Sequence, residues 1–310
     1  MSFEKYEKGD AQSGPSIRIN QRDSNSEPDA VSTFVTLKSA LGSTVTVYLH
    51  GAHVTSFKDA DGQELFFLSE KSYFKKSESI RGGIPICWPQ FADEGPLPMH
   101  GICHSTEWTI KETSISGNHP RIVFTLDDSQ ETRNIWPHSF HLQYTVEIVE
   151  GEGNKERLRL SLDVENKGDA DFSWTAALHT YYHVNSLRQT SVSGLKGKTF
   201  IDKTKKKEKF EEKNDHVTFQ SETDKIFVCG ASDDVIISDA SDDQIRYKLH
   251  FEGWRDVVMW NPWVEKAKEI PDFVPSEYDK MLCLEATQLT EPVKLSKGNK
   301  WSGLYTIGRA

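Results

Sequence analysis

At 310 residues, with 36% apolar and 27% charged residues, the chain can bury a sizeable core and reads as a soluble globular protein. Its formal charge of −10 argues against attraction to nucleic acid or to an anionic membrane. No run of about 18 apolar residues occurs, and Met1-Ser-Phe-Glu-Lys5 lacks the basic and apolar regions of a secretory signal, so a transmembrane helix is not expected and the cytoplasm is the expected location.

In chain order, residues 1 to about 30 are rich in Ser, Asp, Glu, Asn and Gly without sustained periodicity, which predicts a mobile tail; order is expected from residue 31 onward, as one domain to residue 310. From Thr33 the pattern is alternation. Tyr144, Val146 and Ile148 alternate with Thr145 and Glu147. Leu158, Leu160, Leu162 and Val164 alternate with Arg159, Ser161 and Asp163, and Ile245, Tyr247, Leu249 and Phe251 with Arg246, Lys248 and His250. Period two with polar alternates predicts antiparallel strands with one buried face. Further strands are predicted near 34–38, 44–57, 65–69, 106–112, 121–126, 172–183, 191–195, 217–220, 226–228, 234–239, 255–260, 281–287 and 301–307. No stretch longer than about 12 residues keeps a helical period, which excludes βαβ architectures and leaves an all-β, large antiparallel β-sandwich. The basic run Lys203 to Lys209 reads as a solvated loop.

Candidate chemistry is concentrated in a few places. Ile80-Arg-Gly-Gly-Ile-Pro-Ile-Cys-Trp-Pro-Gln-Phe91 joins an arginine to a Gly-Gly step. That is a loop in which a guanidinium fork and nearby backbone N–H groups can meet a phosphate or carboxylate. His179 lies in the apolar and aromatic run Ala176 to His183, and Glu285 closes the apolar run Lys280 to Ala286. Burying such a carboxylate raises its pKa and suits it to proton transfer. Met259-Trp-Asn-Pro-Trp263 can supply an indole face for a sugar ring and an amide for its hydroxyls. Metal ligation by His179 with His183, or by His100 with Cys103 and His104, is not expected: i and i+4 on a strand lie about 13 Å apart. Cys87, Cys103, Cys229 and Cys283 show no Cys-x-x-Cys spacing and are expected as reduced, buried thiols.

With these residues in place, the chain resembles the aldose 1-epimerase (mutarotase) superfamily, in its hexose-6-phosphate 1-epimerase branch. The segments that carry the resemblance are, in order, Ile80 to Phe91, His100-Gly101, Asp128-Ser-Gln-Glu-Thr-Arg-Asn-Ile-Trp-Pro-His-Ser-Phe140, Leu178-His-Thr-Tyr-Tyr182, Ile201-Asp-Lys203, Trp260-Asn-Pro-Trp-Val-Glu-Lys266 and Met281-Leu-Cys-Leu-Glu285. The resemblance implies a sandwich of the galactose mutarotase type that interconverts the α and β anomers of a hexose 6-phosphate, without metal or organic cofactor and as a monomer. By motif it gives Glu285 the general base position and His179 the general acid position. Arg81 takes a phosphate-clamp position, with His100, Asp202 and Trp260 as further substrate contacts. The family pattern Gln-His-Gly-Phe/Leu-Ala-Arg reads Met99-His-Gly-Ile-Cys-His104 here, so the second clamp arginine is absent. Protonated His104, Lys203 or a later lysine is expected to replace its charge. An acid near His179, Asp202 among the candidates, is expected to raise its pKa so that the imidazolium can act across the sugar from Glu285. The alternatives are an epimerase of unphosphorylated aldoses and a noncatalytic carbohydrate-binding sandwich.

Overall fold

The computed structural model describes residues 4–9, 14–22, 29–229, 234–240 and 242–310. Its strands form three sheets, and every ladder between them is antiparallel. Nine strands make the largest sheet, with Lys300–Arg309, Glu156–Asn166 and Phe140–Glu150 at its middle. The predicted alternation explains them. Leu158, Leu160 and Leu162 lie opposite Ile148, Val146 and Tyr144 on one side, while Leu158 and Leu160 meet Ile307 and Tyr305 on the other. All eight side chains are fully buried.

Facing this sheet is an eight-stranded one, whose central order is Thr223–Val228, Asp256–Asn261, Met281–Leu295 and Phe172–Leu178. Leu282, Leu284, Ala286, Val257, Met259, Ala176, Leu178 and Phe227 share one core with the inner face of the large sheet. A hydrogen bond between the Tyr182 and Tyr305 hydroxyls crosses it. The third sheet has five strands, ending at Thr33–Lys38, Thr44–Tyr48 and His53–Lys58.

Several expectations need correction. Part of the expected mobile tail is strand: Ser16–Gln21 pairs with Thr33–Lys38, setting Ile17 against Leu37 and Ile19 against Val35, and Ile17 is wholly buried. The alternation Ile17, Ile19 is short and sits among polar residues, so composition masked it. Residues 1–3, 10–13 and 23–28 of that tail lie outside the described residues. The run 44–57 is two strands around a turn at Gly51, and 172–183 is interrupted after Leu178. The basic run forms a 3-10 turn, Lys203–Lys205, and then enters the strand Glu208–Glu211. Among the described residues no helix is long and apolar enough to cross a membrane.

Candidate active site

Strand parity builds the site. Along Met281–Leu295, the even residues Leu282, Leu284 and Ala286 enter the core between the sheets, so Cys283 and Glu285 point to the opposite face. Their register neighbours do likewise: Val258 pairs with Glu285 and Trp260 with Cys283. On that outer face the chain encloses a cavity of about 320 Å³, within the size range of small-molecule sites. Its charged lining comprises Arg81, Lys203 and Lys266 against Asp93, Asp224 and Glu285.

His179 reaches this face through a break in its strand. After Leu178 the ladder stops, the His179 N–H donates to the Pro85 carbonyl at 3.0 Å, and pairing resumes with Tyr181 opposite Cys283. The step sets His179 Nδ1 3.3 Å from Glu285 Oε1. The imidazole stacks on the Tyr181 ring at 4.8 Å with an interplanar angle of 7° and meets Trp260 edge-on at 6.0 Å. Nδ1 of His179 and both carboxylate oxygens of Glu285 are buried without a hydrogen-bond partner. Buried polar atoms are seldom left so, and a cavity beside them marks where a ligand would complete the set.

The loop from Ile80 shapes the opposite wall. Gly82 and Gly83 have φ of +120° and +59°. A Cβ at Gly82 would lie 2.4 Å from the Phe67 carbonyl oxygen, and one at Gly83 2.2 Å from that of Val54. The glycines therefore let the backbone pass close to Phe67 and Val54 of the protein itself, not to a ligand. His53 Nε2–H donates to the Gly82 carbonyl at 2.7 Å and fixes the bend. Arg81 is thereby delivered to the cavity. Its Nε donates to both oxygens of Asp272, at 3.1 and 3.2 Å, and Nη1 to the Tyr181 hydroxyl at 3.1 Å. Burial opposes its charge, but Tyr181 and Asp272 more than offset that and keep the guanidinium protonated. His100, at φ +64°, accepts at Nδ1 from the Ala92 N–H at 3.2 Å, which leaves the proton of the neutral ring on Nε2. Burial, then His104, Arg81 and Lys203, pushes its pKa down to about 3, so His100 offers a neutral N–H to the cavity.

Burial also drives the central couple apart in pKa. The Glu285 carboxyl moves well above its usual range, with Asp224 adding to the effect and Lys203 opposing it. The His179 imidazole moves well below its usual value through burial, His100 and Arg81. Burial thus favours the protonated form of the carboxyl and the neutral form of the imidazole. This corrects the expectation of a standing imidazolium raised by a nearby acid. The two groups converge on one cavity, as acid–base work on one sugar requires, and stand in direct contact there at 3.3 Å.

Three sequence expectations find other places. Asp202 caps the Lys203–Lys205 turn, its Oδ1 accepting from the Thr204 N–H at 3.0 Å and hydroxyl at 2.6 Å, and it does not line the cavity. His104 is bound to the Met99 carbonyl at 3.2 Å outside the lining, and burial lowers its pKa, so it is not the replacement cation. Asn261 is held by the Tyr278 and Met281 carbonyls and the Trp263 N–H, each at 2.8 Å, and is wholly buried outside the cavity lining. Cations do line the wall: Lys203 from the capped turn and Lys266 from the helix Trp263–Ala267. Lys266, Asp224 and Asp272 were missed. For Lys266 the signal was its place in the quoted Trp260–Lys266 segment. For Asp224 it was alternation with Ile226 across the outer face; Asp272 gave none.

A carboxyl and an imidazole 3.3 Å apart, set beside Arg81, Lys203 and Lys266, can move protons on a small anionic or polyhydroxylic ligand. Solved structures share the architecture. One described as "a putative mutarotase" from Salmonella typhimurium superposes with a TM-score of 0.80 at 25% identity, covering 99% of this chain and 98% of that one. A galactose mutarotase related enzyme from Lactobacillus acidophilus gives 0.68 at 14% identity, over 89% and 97% of the two chains, and shows the fold alone. The fold is thus an all-β sandwich of the galactose mutarotase type, a class of sugar isomerases. More narrowly, the chain belongs to the aldose 1-epimerase family, whose model matches residues 33–308. Among its relatives, proteins named "Putative glucose-6-phosphate 1-epimerase" from Cenchrus ciliaris and Escherichia coli K12 are 36% and 32% identical. They cover 88% and 80% of this chain, and the matches span 83% and 81% of their own lengths.

Proposed function

We propose that this protein interconverts the α and β anomers of a hexose 6-phosphate by acid–base ring opening and reclosure. The observation that carries the reading is the buried, unpartnered Glu285–His179 couple at the cavity. Glu285 as carboxylate takes the proton of the anomeric hydroxyl, and His179 gives one to the ring oxygen. The C1–O5 bond breaks as C1=O1 forms, the aldehyde turns about C1–C2, and the reverse transfers close the ring on its other face. Passage of a proton from the carboxyl across the 3.3 Å contact to the imidazole produces the working pair. Substrate promotes that passage. Arg81 is one of the charges that depress the His179 pKa, and a phosphate bound at Arg81 cancels it.

The names of the relatives support a 6-phosphate, and so does the gathering of Arg81, Lys203 and Lys266 at one cavity in a chain of net charge −10. Arg81, Lys203 and Lys266 are the phosphate-facing groups in this reading, His100 donates to a sugar oxygen, and Trp260 and Phe91 wall the ring. The buried thiols of Cys87, Cys103 and Cys283 fit a reducing compartment such as the cytoplasm. The test is Glu285→Gln, assayed by saturation-transfer NMR on glucose 6-phosphate. Exchange should fall roughly 10²- to 10⁴-fold with circular dichroism unchanged. A near-normal rate would remove Glu285 from the chemistry.

A further inference from the structure

We propose that the cavity floor is also a binding site for a thiophilic divalent cation, zinc above all, held by His179, Glu285 and Cys283. The ligand atoms of these residues all lie within 4.8 Å of one another, and all three side chains are buried. Zinc bonds of about 2.0–2.3 Å place tetrahedral donors roughly 3.3–3.8 Å apart. The 3.3 Å between His179 Nδ1 and Glu285 Oε1 already meets that spacing, and the thiol needs to move by only about 1 Å to join them.

Two further observations point to a missing partner here. Nδ1 of His179 and both oxygens of Glu285 are buried with no hydrogen bond to satisfy them. Cys283 and Glu285 stand on one face of a single strand, and His179 is brought to them by the break after Leu178, so the donors sit on rigid elements. Nitrogen, sulfur and one carboxylate suit zinc or cadmium and disfavour magnesium and calcium, which prefer all-oxygen shells. On binding, the thiol releases a proton, and thiolate plus carboxylate balance the cation's two charges.

The consequence rests on the acid–base reading above: one cation occupies both proton-transfer groups, so zinc acts as a reversible inhibitor. The test has two arms. Cadmium titration of the metal-free protein should raise a thiolate-to-cadmium charge-transfer band in the ultraviolet. Zinc should suppress anomer exchange of glucose 6-phosphate, and a chelator should restore it. In Cys283→Ser, or Cys283→Ala if the serine variant misfolds, metal-free exchange should persist and the band should vanish. Zinc inhibition should weaken more than roughly 100-fold, since even outer partners of a metal ligand are typically worth 10–100-fold. Cys87→Ser should retain both responses. Absence of the band in the unaltered protein, its survival without Cys283, or acceleration by zinc would overturn the proposal. The band is read without substrate, so it separates failure of the metal site from failure of the epimerase reading.

Discussion

The cationic wall opposite Glu285 is built from side chains that all have protein partners. Arg81 is held by Asp272 and Tyr181, and Lys266 Nζ lies 3.0 Å from Glu222. Lys203 lies 3.2 Å from Glu94 and 4.0 Å from Asp224. A bound phosphate must therefore compete with carboxylates, which favours a dianion over a neutral sugar. Lys266→Ala should lower kcat/KM for glucose 6-phosphate by roughly 10- to 100-fold, the value of one charge-assisted hydrogen bond, and leave free glucose nearly unchanged. Equal losses on both sugars, measured side by side, would show that Lys266 does not read the phosphate. His179, Glu285, Arg81, His100 and Trp260 were legible in the sequence and all line the cavity. A charged or titratable residue in an apolar run announces itself. Asp202 and His104 came from the resemblance alone and went elsewhere, because a cap or a carbonyl satisfied them locally and no one-dimensional pattern shows that.

At the level of elements, the loop from Ile80 to Gly101 depends on backbone close approach. It is stitched to the His53–Lys58 strand through the Ile84 N–H, which donates to the Val54 carbonyl at 2.8 Å, and to residue 67 through the Gly83 N–H, also at 2.8 Å. Gly83→Ala combines a left-handed φ with a Cβ 2.2 Å from a carbonyl oxygen. The expected cost is more than about 1 kcal/mol of stability, together with weakened phosphate binding as Arg81 shifts. Urea unfolding checks the first effect and KM for glucose 6-phosphate the second; an unchanged midpoint would mean the loop relaxes freely. The sequence showed that this stretch was special but assigned its glycines to a ligand, since a glycine marks close approach without naming what approaches. Strand interiors were read well because alternation is their cause. Strand ends were not: the breaks at Gly51 and after Leu178 are set by tertiary hydrogen bonds, and the second of them places His179.

For the molecule as a whole, the core between the two larger sheets follows from period-two patterning, and the third sheet joins the same buried cluster through Ile17, Val35, Leu37, Val45 and Val47. The contribution of the N-terminal strand is measurable. Ile17→Ala should destabilise by about 2–4 kcal/mol, as for a fully buried isoleucine. A mobile tail would predict no change in Tm, so differential scanning calorimetry distinguishes the two. The strand Met281–Leu295 divides its labour by side: Leu282, Leu284 and Ala286 hold two sheets together, while Glu285 on the other face lines the cavity. Exchange of Glu285 therefore removes the chemistry while leaving the packing of the two sheets in place, so one scaffold can keep or lose its reactivity over evolutionary time without being rebuilt.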